Sequence, residues 1–219
     1  MKPSPNTQSG TREKILDAAE VLLIEHGFAA TSLRAIASKA DVNLAATHYH
    51  FGSKNGLLAA VFHRRMQPIT RARLQALSRL ELSEEPITVK AVLKAFMAPF
   101  YHTDNSELLH TLPSLIGRIH GEPESITKPI LEQEFAETAD RYIGLISSIL
   151  PDLPADKLRW RFHFTVGAMI QLLRFHSPLW LEPTPKTHAN NEEFIRGLDQ
   201  FIDYAAAGIE QAQHDEVRA

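Results

Sequence analysis

Between Val42 and Leu58 the sequence reads VNLAATHYHFGSKNGLL. Leu44, Ala45 and Ala46 are followed within about one helical turn by His48, Tyr49 and His50. Small side chains let a helix backbone approach base edges in a major groove, and imidazole and phenol groups can exchange hydrogen bonds there. Other chemistry fits these residues poorly. His48 and His50 are two apart, so on a helix they point in different directions rather than at one metal. His163 and His176 lack i, i+4 spacing with an acidic partner, and the chain has no phosphate loop, dinucleotide glycine fingerprint or nucleophile elbow. The sequence therefore assigns no catalytic residue, no metal ligand and no cofactor.

Such a reader needs elements that hold it. Ile15, Ala18, Ala19, Leu22 and Leu23 recur at i, i+3, i+4, i+7 and i+8, which lines one face of a first helix that Gly27 stops. Thr31 and Ser32 can accept hydrogen bonds from the free amides of a second, short helix whose buried face is Leu33, Ile36, Ala37 and Ala40. Asp41, Val42 and Asn43 make a tight connection, with Val42 pointing inward and Asn43 capping a third helix that runs to about Phe51. Phe51 reads as core. Gly52 and Ser53 then break the chain and cap a fourth helix starting near Lys54.

The formal charge of -3 is unevenly placed. Residues 1–67 hold eight Lys and Arg against five Asp and Glu, giving +3, so the remainder carries -6. A basic head directs itself toward phosphate and leaves an acidic body for another task. With no cysteine, disulfides and thiolate metal sites are excluded and a cytoplasmic location is the default. No apolar run reaches the ~18 residues that cross a bilayer, so no membrane partner is expected. Residues 1–10, polar and with Pro3 and Pro5, read as a flexible arm that either brushes the DNA backbone or has no role.

Beyond Leu57 the pattern is helical throughout, and the fold class is all-α. A long helix is expected from Lys54 to about Leu82, with a possible kink at Pro68. Further helices are expected over Pro86 to His102, Ser106 to His120, Ser125 to Leu150, Pro154 to Phe175 and Asn191 to about Gln213, with a loop over 177–190. Pro86 and Pro154 suit first-turn positions, and Gly121 suits a stop. The last two helices carry large apolar stripes: Phe162, Val166 and Leu173 on one, and Phe194, Leu198, Phe201, Ile202, Ala205 and Ile209 on the other. Each stripe exceeds what one body readily covers, although packing within one chain is the alternative.

Thr11 to Met66 resembles the DNA-binding domain of the TetR family of bacterial repressors. The likeness rests on ILDAAEVLLIEHGF, on Thr31 and Ser32 before LRAIASKA, on YHFGSK, and on Leu57 and Leu58, all in the same order and separation. The NLAA with YHFGSK variant is most similar to a subgroup that includes regulators of fatty-acid metabolism. Thr47 stands where an aliphatic residue is usual, and His48 where Tyr or Asn is common. A β-branched Thr nearly fills the volume of Val, so the fold should survive while operator preference could differ.

The resemblance implies a flexible arm over 1–10, a helix-turn-helix domain over 11–66 and an effector-binding and dimerisation domain over 67–219. It places Arg34 beside a base edge or phosphate and Lys54 against phosphate. Thr31, Tyr49 and His50 would hydrogen-bond the DNA backbone, with Ser32 and Asn43 at the helix starts, while Leu44, Ala45, Ala46 and His48 would face bases. The final two helices would pair across a two-fold axis into a homodimer, and the operator would be an inverted repeat. In the body, Phe96, Phe100, Tyr101, Leu112, Leu115 and Ile116, with Phe135, Tyr142, Phe164 and Met169, either surround a cavity for an apolar effector or form a solid core. Arg118 and His120 either neutralise an acidic head group on that effector or sit at the surface. The reading is a ligand-released repressor on double-stranded DNA; a helical adaptor acting through protein contacts alone is the rival.

Overall fold

The computed structural model describes residues 5–101, 115, 122–175 and 191–211. Within them every regular element is an α-helix: α1 (Pro5–Ala30), α2 (Leu33–Lys39), α3 (Leu44–Phe51), α4 (Lys54–Glu81), α5 (Val89–Tyr101), α6 (Glu124–Ile149), α7 (Ala155–Phe175) and α8 (Asn191–Glu210). The chain divides into two compact units, residues 1–68 with 110–134, and residues 69–109 with 135–219. Of the three points where the chain passes between units, one falls inside α4 just after Pro68, whose ring removes a helix hydrogen bond, and another inside α6. The helix expected over Ser106 to His120, the stop at Gly121 and the loop over 177–190 lie outside the described residues.

In the first unit, α1, α2 and α3 pack on one another. α1 buries Ile15, Leu16, Ala18, Ala19 and Leu23, while Leu22 is partly exposed, so the apolar face is rotated slightly from the expected one. Its helical backbone reaches back to Pro5, into the segment expected to be a flexible arm. Gly27, at φ 78 and ψ 173, breaks the helix, a conformation that costs a residue with Cβ dearly. Glu20 is buried between two arginines of α4: Arg64 Nη2 donates at 2.7 Å to Oε2, and Arg65 Nε at 2.5 Å to Oε1. Arg64 also reaches Asp17 at 2.6 Å and Glu13 at 3.3 Å. Burial lowers the pKa of Arg64, but its bonds and charge interactions with Glu20 and Asp17 outweigh that and leave it raised.

In the second unit, α8 packs against α5 and α7. α5 starts at Val89 rather than Pro86, because the Thr88 hydroxyl accepts from the amide of Ala91 and its carbonyl from that of Val92. The core joins Phe96 edge-on to Tyr142 (centroids 5.1 Å apart) and to Phe162 (5.4 Å).

The apolar stripes of α7 and α8 correct the sequence expectation. Phe162, Leu173, Phe194, Leu198, Phe201, Ile202, Ala205 and Ile209 are all buried in their own chain, and Val166 is partly so. The two helices and α5 cover one another, and Arg161 donates to the carbonyls of Gly208 and Ile209, fastening α7 to the C-terminal end of α8. What remains outside is a different face: Trp160 (61 % exposed) and Phe164 (64 %) on α7, and Tyr204 (74 %) on α8. Phe164, expected near an effector, stacks at 5.7 Å on Trp160 one turn away and turns from the core.

Replacing Glu20 by Ala removes a buried carboxylate from Arg65 and the innermost partner of Arg64. Urea unfolding should show a loss of about 2–3 kcal/mol; a change within ±0.5 kcal/mol would mean that the clasp contributes nothing.

Candidate nucleic-acid interface

The turn between α2 and α3 is closed by backbone chemistry. Asp41 adopts a left-handed conformation (φ 53). The amide of Val42 bonds to the carbonyl of Ala37 at 3.0 Å and that of Asp41 to Ser38 at 3.3 Å, the paired bonds of a Schellman ending. Short polar side chains tolerate this region better than bulky ones. Ser32 caps α2 by accepting from Ala35 at 3.1 Å, and Asn43 caps α3 by accepting from Ala45 at 2.9 Å. Thr47 is fully buried and returns its hydroxyl to the Leu44 carbonyl at 2.6 Å, so it fills an apolar position without an orphaned donor.

These caps fix which way α3 faces. Leu44, Ala45, His48 and Tyr49 are exposed, Tyr49 by 75 %, while Ala46 and His50 are partly covered. Tyr49 meets His50 edge-on at 5.2 Å, and His48 Nδ1 lies 3.2 Å from the Gly52 carbonyl. Arg34 on α2 is exposed and makes no hydrogen bond or ion pair among the described residues. Lys54 is held by its surroundings: its ammonium lies 4.2 Å from the centroid of Phe28 and 3.4 Å from the Ala29 carbonyl. An ammonium with three donors keeps capacity for an external anion.

Two residues depart from their expected places. Thr31 is 3 % exposed, and its hydroxyl donates to Gly27 O at 2.7 Å and Leu22 O at 3.1 Å, so this side chain closes the end of α1 rather than facing outward. Phe51 is partly exposed, with the Arg12 guanidinium 5.5 Å from its ring, and is not the buried core residue its apolarity suggested. Phe28 was missed as a positioning residue. It lies 26 positions before Lys54, and no local periodicity links them.

The same segment matches a known family of DNA-binding regulators. Residues 15–61 match the family described as bacterial regulatory proteins, tetR family. Residues 94–208, more than half of the chain, match the tetracyclin repressor-like C-terminal domain. The chain belongs to the TetR family of transcriptional regulators. It is 27 % identical over 145 residues to the HTH-type transcriptional repressor KstR of Rhodococcus jostii, covering 59 % of this chain and 67 % of that protein. A 48-residue segment is 46 % identical to the probable HTH-type transcriptional regulator YttP of Bacillus subtilis, spanning 22 % of this chain and only 23 % of that relative. Among solved structures, a transcriptional regulator assigned in Pseudomonas aeruginosa PAO1 superposes with a TM-score of 0.63 at 17 % identity over 96 % of both chains. SmeT, the repressor of the Stenotrophomonas maltophilia efflux pump SmeDEF, gives 0.57 at 20 % identity over 88 % of this chain and 89 % of that one. At these identities the structures show a shared fold.

Gly56 sits where α4 passes the end of α3, and a Cβ there would lie 2.3 Å from the Phe51 carbonyl oxygen. Backbone must move to admit it. Gly56→Ala should cost about 1–3 kcal/mol in thermal or urea unfolding and weaken DNA binding through the displaced α3; wild-type stability would show that the approach is slack.

Proposed function

We propose that the chain is a homodimeric, sequence-specific DNA-binding repressor, released from an inverted-repeat operator in the cytoplasm by a small apolar or amphipathic effector. Residues 11–66 form the DNA-binding domain, and residues 67–219 the effector-binding and dimerisation domain. The carrying observation is the outward face of α3, made of Leu44, Ala45, His48 and Tyr49, with the unpaired Arg34 on α2 and the ring-seated Lys54 at the start of α4. Arg64 and Arg65, which add to the basic count of this end, are committed to Glu20, whereas Arg34 and Lys54 are among the charges left for phosphate.

In this reading Lys54 and the hydroxyl of Tyr49 hold phosphate, with His50 beside them. Ser32 and Asn43 present the helix starts, while Arg34, Leu44, Ala45, Ala46 and His48 face base edges. Thr31 supports the site from within. KstR and SmeT carry the name of repressor, and SmeT has been solved in a complex with triclosan, which supports an effector role for the second unit here. Phe96, Phe100, Tyr101, Tyr142 and Met169 are the described residues of that unit proposed to line its site, with Phe135 beside them. Leu112, Ile116, Arg118 and His120 lie outside the described residues.

Dimerisation is assigned to the exposed face of α7 and α8. Trp160 and Phe164, with Gly167 one turn on, form one strip, and Tyr204, Ala207 and Gly208 another. Aromatic rings beside small residues give a close-packed helix interface its anchors and its clearance.

Two measurements test this. In electrophoretic shifts with fragments of the protein's own promoter region, Lys54→Ala should weaken binding on every sequence and flatten the salt slope by about one unit, while Arg34→Ala should cost roughly 1–3 kcal/mol and relax discrimination. Binding untouched by either change rejects the interface, and no salt-dependent shift at all favours the adaptor reading. Phe164→Glu should convert the dimer to monomer in light scattering; a dimer that persists moves the interface elsewhere.

A further inference from the structure

Arg73, on α4, is 2 % exposed. Its Nε donates to the Phe96 carbonyl at 2.9 Å, and Nη2 lies 3.2 Å from the Met169 sulfur. The guanidinium carbon stands 3.7 Å from the centroid of Phe96 and 5.8 Å from that of Phe100. No carboxylate meets it among the described residues. The acids of this unit that are paired meet other groups: Glu81 pairs with Arg141, Asp199 with the hydroxyl of Tyr101, Asp203 with Lys90 and Asp140 with Arg159. A guanidinium has five N–H donors. Here Nη1 has no hydrogen-bond partner among the described residues, and one N–H of Nη2 is spent on a thioether, a weak acceptor.

A buried charge normally comes with an opposite charge, because its desolvation is otherwise uncompensated. Packing alone does not require arginine at this position, since an apolar chain of similar length would fill the volume without that cost. We propose that Arg73 is the anchor for the carboxylate of an amphipathic effector, whose apolar remainder lies among Phe96, Phe100 and Met169. This rests on the reading of the second unit as effector-binding.

Three features set the chemistry of the ligand. Nη1 and Nη2 form the planar edge that grips a carboxylate through two parallel bonds. A single positive charge is balanced by a monoanion, whereas a dianionic phosphate monoester would leave one negative charge buried. Met169 occupies the edge of the fork without charge, and its unbranched side chain can swing aside for a stronger acceptor. Burial lowers the pKa of Arg73 to about 10, partly offset by Tyr142, so the group is still charged at neutral pH and is destabilised in a way an anion would relieve.

The test uses the full chain and isothermal titration with octanoate, dodecanoate and hexadecanoate, each against the matching primary alcohol and methyl ester. Wild type should prefer at least one acid over its uncharged partners by roughly 10- to 100-fold, and Arg73→Met should erase that preference. Equal affinity for acid and alcohol, no binding of any acid, or a preference that survives in Arg73→Met overturns the proposal. Should Arg73→Met fail to fold, Arg73→Lys is read instead: it keeps the charge but not the fork and should lose most of the preference, and an unchanged preference again overturns the site. Operator shifts on the same preparations separate the two readings. A protein that binds operator but ignores the head group refutes the Arg73 site and leaves the regulator standing; one that selects an acid through Arg73 yet keeps its grip on DNA supports the site and refutes release by this class.

Discussion

Glu20, enclosed by Arg64 and Arg65, is the contact that lets the N-terminal unit exist as a rigid reader. α2 and α3, at seven and eight residues, are too short to persist alone in water. They need a floor, and α1 supplies it only if it is fixed against α4. Apolar burial by Ile15, Leu16 and Ala19 on one side, and by Leu57, Val61 and Phe62 on the other, drives that association without direction. The two-armed carboxylate adds direction: its two oxygens meet adjacent arginines, so rotating or sliding α1 along α4 breaks both bonds together. The outward aim of Leu44, Ala45, His48 and Tyr49 follows from this register.

The same pairing redefines what the positive charge of the N-terminal residues means. A count of Lys and Arg assigns them all to phosphate. The structure divides them by neighbours: Arg64 is fixed by Glu20, Asp17 and Glu13, while Arg34 is left without an acidic partner among the described residues. Lys54 is intermediate, seated on an aromatic face that holds its ammonium in place without neutralising it. A cation presented this way pays less entropy when it meets phosphate than a free surface lysine does.

Local chemistry was legible in the chain; partnership was not. Ser32, Asn43 and Ser53 announce helix starts because a short side-chain oxygen has only nearby amides to satisfy, and all three cap as expected. Thr47 could be placed inside because its volume and its local acceptor both suffice. The stripes on α7 and α8 were equally visible, yet a stripe states only that a face leaves water, not which surface covers it, and the covering surface proved to be the chain's own α5 and neighbouring helix. Thr31 misled for the same reason: its hydroxyl suits an amide or a phosphate in sequence, while the carbonyls of Leu22 and Gly27 that claim it are gathered only by the turn at Gly27. Arg73 gave no signal at all, since an arginine in a helix reads as solvated until tertiary packing encloses it.

α4 carries Lys54 at its start, Arg64 and Arg65 along its first half, and Arg73 beyond Pro68. Three kinds of arginine and lysine chemistry therefore share one backbone: a cation offered outward, cations locked to carboxylates, and a cation without a counter-charge among the described residues. The last is the desolvated one, so it gains most from a small anion that reaches it. In the reading proposed here, an anion that binds Arg73 more tightly in one conformation than another shifts the population toward that conformation, and by linkage it must weaken whatever the other conformation holds more tightly. A coupling of about 1–3 kcal/mol is enough to change operator affinity 5- to 150-fold, which lies within reach of one charge-assisted pair. The helix that fixes the reader through Glu20 is thus the same one on which the proposed ligand would act, and proline interrupts its hydrogen bonding between the two sites.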